Sequence, residues 1–313
     1  MVQDLAKIII KEAVAANAQD IYMIPKGNSY GLYLRVGVER QQMDGFESYP
    51  ITSLISHFKF VAGMNVGEKR RSQLGACDYA FAADQTVSLR LSSVGDYRGR
   101  ESLVIRLLYS GIYHLRYWFD TVEHLQENIG GRGLYLFSGP VGSGKTTLMY
   151  QLATEKYFNK QIITIEDPVE IKEEAMLQLQ LNESIGMTYD NLIKLSLRHR
   201  PDILIIGEIR DKKTARAVIR ASLTGIIVFS TVHAKSISGV YARLQELGIS
   251  REELNNSLQL IVYQRLIGGG GMIDFADKNF QEHIPDKWNQ QIDELAEGGY
   301  ITEEEAKYEK IKT

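Results

Sequence analysis

Eight consecutive residues, Gly139-Pro140-Val141-Gly142-Ser143-Gly144-Lys145-Thr146, carry the clearest chemistry in the chain. Two glycines five positions apart, followed by Lys and Thr, fit the phosphate-binding loop pattern. Glycines let backbone N–H groups close around phosphate oxygens, and a helix starting at the end of the loop adds its positive dipole terminus. The apolar run Leu134–Phe137 precedes the loop and a helical stretch from Thr146 to Glu155 follows it, which is the context the pattern requires. Lys145 is suited to reach the β- and γ-phosphates of a nucleotide, Thr146 to help hold Mg2+, and Thr147 completes the phosphate-binding set. The competing reading is a flexible surface turn.

Hydrolysis also needs a carboxylate at a neighbouring strand end. Ile203-Leu204-Ile205-Ile206 followed by Gly207-Glu208 supplies one, and Glu208 could act on Mg2+ directly or through its water. A second acidic cluster, Glu166-Asp167-Pro168-Val169-Glu170, follows the run Ile162–Ile165. A carboxylate there could orient or deprotonate an attacking water; an acidic turn started by Asp-Pro is the plainer alternative. His233 follows the run Ile226–Phe229 and could sense the γ-phosphate, although a lone histidine also serves structure.

The elements that must position these groups show in the texture of the chain. Leu5, Ile9, Ala13 and Ala16 keep helical spacing, Ile21–Ile24 reads as a strand stopped by Pro25, and Leu32, Leu34 and Val36 alternate as in a half-buried strand. Strand-like runs also surround Arg90 and Arg106. Residues 1–108 therefore read as a small α+β domain, and 109–131 as a connection and first core helix. Residues 132–271 alternate short apolar runs with helical patterns, the mark of a doubly wound α/β domain. The glycine run Gly268–Gly271 reads as its end, a flexible joint or a helix-ending turn, and the acid-rich stretch 272–313, with Glu303-Glu304-Glu305, as a solvated helical tail.

Composition narrows the class. Hydrophobic residues at 44% and charged residues at 24% suit a soluble globular chain, and 313 residues suffice for two domains. A net charge of −3 offers no basic field for direct nucleic-acid binding. The single cysteine, Cys77, allows no internal disulfide and suits a reducing cytosol. No signal peptide and no run of roughly 20 apolar residues is expected, so work at a membrane would proceed from the cytoplasmic face through partners.

Taken together, the ordered motifs resemble the type II secretion and type IV pilus ATPases. Ile165–Glu170 is similar to that family's Asp box, Gly207-Glu208-Ile209-Arg210-Asp211 to its Walker B motif, and Ser230-Thr231-Val232-His233 to its His box. Leu197–Asp202, Ala221–Gly225, Gln264-Arg265-Leu266 and Ala62-Gly63-Met64 also look like its signatures, so the resemblance spans roughly residues 5–267. It implies a hexameric ring of RecA-like ATPase domains, each preceded by a small PAS-like α+β domain. It implies ATP and Mg2+ as ligands, Lys145 and Thr146 on phosphate and metal, Glu166 as water-activating carboxylate, and Glu208 serving the metal. Arg90 and Arg106 match the arginines that reach the γ-phosphate.

Three departures qualify the match. Ile226 stands where the family's first His-box histidine usually follows Thr-Gly, so only His233 carries over. The stretch Gly95–Glu101 is one residue longer than usual. The four zinc-binding cysteines of many members are absent, so no zinc is expected. A short, zinc-free chain is most similar to Gram-positive competence-pilus ATPases, which assemble a DNA-uptake pseudopilus on an inner-membrane platform protein. Retraction motors of type IV pili are the main alternative, and a nucleotide-gated scaffold with little hydrolysis is another.

Overall fold

The computed structural model describes residues 2–37, 39–43, 45, 50–109 and 115–311. The chain divides into two compact units, Met1–Ser110 and Gly111–Thr313. The expected connection over 109–131 is described except for 110–114, which lie outside the described residues.

The first unit runs α1 (Val2–Ala15), β1 (Asp20–Lys26), β2 (Ser29–Val36), β3 (Glu39–Gln42), α2 (Ile51–Val61), β4 (Gln73–Ala82), β5 (Gln85–Gly95) and β6 (Glu101–Leu108). Its strands form one antiparallel sheet in the order β3-β2-β1-β6-β5-β4. Leu5, Ile9 and Ala13 of α1 pack with Leu54 and Phe58 of α2 against Leu89, Leu91, Leu103 and Ile105 of the sheet. Strand period then sends Arg90 and Arg106 to the opposite face. The fully buried Lys59 ties α2 to β6 by donating to Glu101 Oε1 at 2.5 Å.

Two local expectations change here. Ala16 falls just past α1 and is exposed. Strand β1 continues through Pro25, which sits opposite Tyr30 one pair from the two-residue turn at Gly27. In such a hairpin that pair is not hydrogen-bonded, so the nitrogen of Pro25 points away from β2. On that other side β6 pairs only with Asp20–Met23, so the missing N–H breaks no ladder bond.

The second unit begins with α3 (Thr121–Asn128), β7 (Gly133–Ser138), α4 (Lys145–Tyr157), β8 (Ile162–Glu166), β9 (Leu177–Gln180) and α5 (Tyr189–Arg198). It continues with β10 (Ile203–Glu208), α6 (Lys212–Ser222), β11 (Ile227–Thr231), α7 (Ile237–Glu246), α8 (Arg251–Ser257), β12 (Leu258–Ile267), β13 (Gly270–Ala276), α9 (Asp286–Glu297) and α10 (Glu303–Glu309). The sheet order is β13-β12-β7-β11-β10-β8-β9, parallel throughout except for the antiparallel edge strand β13. The apolar runs of the sequence lie in β7, β8, β10 and β11, except Ile226, which precedes β11. Every residue of β7, β8 and β11 is buried because helices cover both faces, one core gathering around Leu136 and Ile206 and the other around Phe137 and Ile205.

The end of this unit departs from expectation. Gly268–Gly271 is neither a joint nor a helix stop. Gly268 (φ 56°) and Gly269 (φ 77°) make the tight turn between β12 and β13, where left-handed backbone favours glycine. A Cβ at Gly270 would lie 2.6 Å from Trp118 Nε1, and one at Gly271 2.6 Å from Tyr117 Cδ1. These glycines admit two aromatic rings against the strand.

Nor does the sheet end at residue 271, since β13 runs on to Ala276. The acidic stretch that follows is packed rather than solvated. Trp288, Ile292 and Leu295 recur at helical spacing along α9 and join the main core, Trp288 being fully buried. The indole packs edge-on to Tyr263 and donates to the carbonyl of Glu309, while Arg265 pairs with the Glu309 carboxylate at 2.8 Å. Abundant acidic residues on the outer faces hid this stripe from a composition-based reading. Among the described residues no helix is long and apolar enough to cross a membrane.

Replacing a fully buried tryptophan by alanine typically costs about 3–5 kcal/mol. Trp288→Ala should therefore lower the denaturation midpoint markedly. An unchanged midpoint would show that the C-terminal helices add nothing to the stability of the second unit.

Candidate nucleotide-binding site

Parallel pairing explains why residues far apart in sequence meet. Strands β7, β11, β10 and β8 are consecutive neighbours and run the same way, so their C-terminal ends lie on one edge. The phosphate loop follows β7, Glu166 ends β8, Glu208 ends β10, and His233 comes two residues after β11. Side chains then tie the loops together. The N–H of Ala234 donates to Ser138 Oγ at 3.1 Å, and His233 Nδ1 lies 3.3 Å from the Gly139 carbonyl oxygen.

The loop itself is built on strained backbone. Gly139, Gly142 and Gly144 all have positive φ, at 143°, 78° and 84°. A Cβ at Gly139 would lie 2.0 Å from the Gln264 carbonyl oxygen, and one at Gly144 2.5 Å from Leu115 Cδ1. Glycine is required at both for space as well as for dihedral freedom. The first hydrogen bond of α4 joins the Leu148 N–H to the Gly144 carbonyl. The N–H groups of Lys145, Thr146 and Thr147 therefore open the helix with no carbonyl of its own to bond. Pro140 and Val141 sit at the exposed crest.

Lys145 lies at the base of the loop, its ammonium donating to the carbonyls of Gly139 at 3.0 Å and Pro140 at 2.7 Å. Burial pulls its pKa down, opposed by the negative charges of Glu208 and Glu170. Ser143 Oγ is buried with no hydrogen-bond partner. An unspent hydroxyl, opening N–H groups of a helix and an ammonium at one loop match the phosphate chain of a nucleotide. Among the described residues no group of three or more His, Cys, Asp or Glu is arranged to hold a metal ion. A Mg2+ ion bound together with a nucleotide would need only one or two protein oxygens, which Thr146 and Glu208 would offer.

Glu166 is 5% exposed. Its Oε1 accepts from the Tyr150 hydroxyl at 2.5 Å and from Thr164 Oγ1 at 2.6 Å. Burial raises its pKa despite these two hydrogen bonds. Glu208 is held from two sides: Arg210 Nε donates to Oε2 at 2.6 Å, and His233 Nε2 stands 3.1 Å from Oε1. The bond to Glu208 raises the Arg210 pKa. His233 is thus a structural bridge between the carboxylate of β10 and the first glycine of the phosphate loop.

Arg90 and Arg106 belong to the first unit. The β5–β6 register sets them directly opposite each other despite the longer hairpin at Gly95–Glu101, whose turn is closed by Asp96 accepting from the N–H groups of Arg98 and Arg100. Arg106 Nε donates to Asp20 Oδ1 at 2.8 Å, and Tyr22 bonds the other oxygen of Asp20 at 3.3 Å.

Sequence reasoning singled out neither Asp20 nor the supports of the two strand-end carboxylates. Arg210 sat within the motif of Glu208 without a role. Tyr150 lay without a role in the helical stretch after the loop and Thr164 within the run Ile162–Ile165; only Thr164, two positions before Glu166 on the same strand face, left a local signal.

The family described as type II/IV secretion system protein matches residues 1–288. Over 311 residues the chain is 61% identical to the competence protein ComGA of Streptococcus pneumoniae, covering 99% of each. It is 36% identical over 273 residues to the ComGA protein of Bacillus subtilis, covering 85% of this chain and 76% of that one. Among solved structures, the pilus retraction motor PilT with bound ADP superposes with a TM-score of 0.74 at 23% identity, covering 98% of this chain and 97% of that one. The Legionella pneumophila ATPase DotB gives 0.73 at 17%, covering 96% and 93%. These two likenesses concern the fold, which is that of an α/β RecA-like domain preceded by a small α+β unit. With the family match extending over most of its length, the chain belongs to the type II/IV secretion system protein family.

Proposed function

We propose that this protein is an ATP-hydrolysing motor subunit that powers assembly of a competence-type pilus for DNA uptake. The observation that carries this reading is the single sheet edge on which the phosphate loop, Glu166, Glu208 and His233 converge. The 61% identity to a competence protein over nearly the whole of both chains supports the DNA-uptake reading, and the 33% identity to a type IV pilus assembly ATPase of Thermus thermophilus over 85% of this chain supports assembly. The likeness to a retraction motor is one of fold alone and does not favour the opposite output. Retaining both strand-end carboxylates beside Lys145 argues for turnover rather than passive nucleotide gating.

In this reading Lys145 and the opening N–H groups of α4 hold the phosphates. Thr146 and Glu208 would hold Mg2+, which would neutralise charge on the bound phosphates. Glu166 accepts the proton of the attacking water. His233 and Arg210 keep Glu208 aimed at the edge. Arg90 and Arg106 act on the γ-phosphate, a task suited to a permanently charged guanidinium fork. The working form is a homohexamer on the cytoplasmic face of the membrane, joined to it by a platform protein.

Lys145→Ala should abolish ATP turnover and pilus assembly with the fold intact; phosphate release at the wild-type rate would refute the site. Glu166→Gln should slow hydrolysis by about 10²–10⁴-fold while nucleotide binding persists. Arg90→Ala and Arg106→Ala should each lower kcat by roughly 10²–10³-fold, the scale of removing one donor to developing charge. Wild-type kcat in both arginine variants would remove them from the mechanism.

A further inference from the structure

Tyr150 lies five residues after Lys145 on α4 and is fully buried. Burying a phenol hydroxyl is unfavourable unless it is bonded, and phenylalanine would fill the same space without that demand. Here both capacities of the hydroxyl are used. Gln178 Nε2 on β9 donates to its oxygen at 3.0 Å. An amide NH2 can only donate, so the proton of the hydroxyl goes the other way, to Glu166 Oε1 at 2.5 Å.

Gln178 is itself fixed from two sides. It donates to the Ile171 carbonyl at 2.8 Å and accepts the Glu173 N–H at 2.9 Å. A continuous chain of bonds therefore runs from the loop after Glu166, through β9 and the phosphate-loop helix, back to the carboxylate.

We propose that Tyr150 is a positioning residue for Glu166, its hydroxyl anchoring the carboxylate in the orientation and charge state from which it takes a proton from water. This rests on the reading of Glu166 as the water-activating group. Burial and the charge of Glu166 push the Tyr150 hydroxyl up, so it stays a donor. Burial pushes Glu166 up, and the hydroxyls of Thr164 and Tyr150 pull it back. The other charged or titratable groups near this corner are Asp167 and Glu170 in the following loop, Glu208 of β10 and Tyr189 of α5, which flank the neighbouring strand end at Gly207, and Arg210, which pairs with Glu208 and Asp167. These charges do not replace the lost donor: Glu170 raises the Glu166 pKa, and the guanidinium of Arg210 is turned to Glu208 and Asp167.

Tyr150→Phe removes one oxygen and keeps the ring. Loss of a donor to the charged form raises the carboxyl pKa, so the acid limb of kcat should move upward by about one pH unit. At a pH on that acid limb kcat should fall by about 10-fold with KM for ATP little changed, because only proton acceptance is affected. The direct readout is infrared difference titration of the full-length protein without nucleotide. A protonated-carboxyl band assigned by its loss in Glu166→Gln should shift its midpoint upward in Tyr150→Phe. Gln178→Leu, which leaves the hydroxyl in place but frees its proton to turn, should shift it the same way by less.

An unmoved carboxyl midpoint in both variants overturns the proposal. Wild-type turnover in Glu166→Gln instead overturns the reading of Glu166, while the titration still decides whether Tyr150 governs that carboxylate.

Discussion

Parallel hydrogen bonding between β7, β11, β10 and β8 is the constraint on which the rest of the second unit depends. Parallel neighbours cannot be joined by tight turns, so each connection crosses the sheet through a helix and returns to the same starting edge. All four strands then finish on the opposite edge, where backbone leaves the sheet and side chains are free to converge. The gathering of a phosphate loop, two carboxylates and a histidine follows from this geometry, whatever their spacing in sequence. Fine adjustment is local. A register shift between Ile206 and Glu208 brings Glu208 opposite Thr231, and Gly207 supplies the room, since a Cβ there would lie 3.0 Å from the Tyr189 hydroxyl.

Helix α4 serves two tasks with one rigid element. Its first turn presents Lys145, Thr146 and Thr147 to the loop, and one turn later Tyr150 holds Glu166. The arrangement accepts buried polar groups that would be unfavourable if left alone. Lys145 is met by two carbonyls, and Glu166 by two hydroxyls. The polar demands of the site are thus met mainly by its own neighbours, which keeps the geometry defined.

In the first unit the same economy appears on an antiparallel sheet. Alternate residues of β5 and β6 are spent on the core, and the pair Arg90 and Arg106 is left on the other face in direct register. Asp20, nearly buried, sets the direction of Arg106 through Nε, so this guanidinium is oriented by the sheet rather than left to sample rotamers.

Short-range pattern was enough to find the phosphate loop, the strand ends bearing Glu166 and Glu208, and the buried strands β7, β8, β10 and β11. Each depends on residue types within a window of about ten residues, where glycine freedom, apolar runs and strand period act locally. The strand β9, the edge hairpin of β12 and β13, and the docking of α9 were not legible in that way. Leu177–Gln180 has no apolar run, Gly268–Gly271 resembles a linker, and the stripe of Trp288, Ile292 and Leu295 is diluted by acid. Which oxygen Tyr150 bonds, and that Asp20 pairs with Arg106 across 86 residues, are matters of distance in space. Sequence alone determined which groups could do phosphate chemistry, because that is a property of residue type and local backbone. Tertiary structure decided which of them meet and what supports them, because strand register and helix packing set those distances.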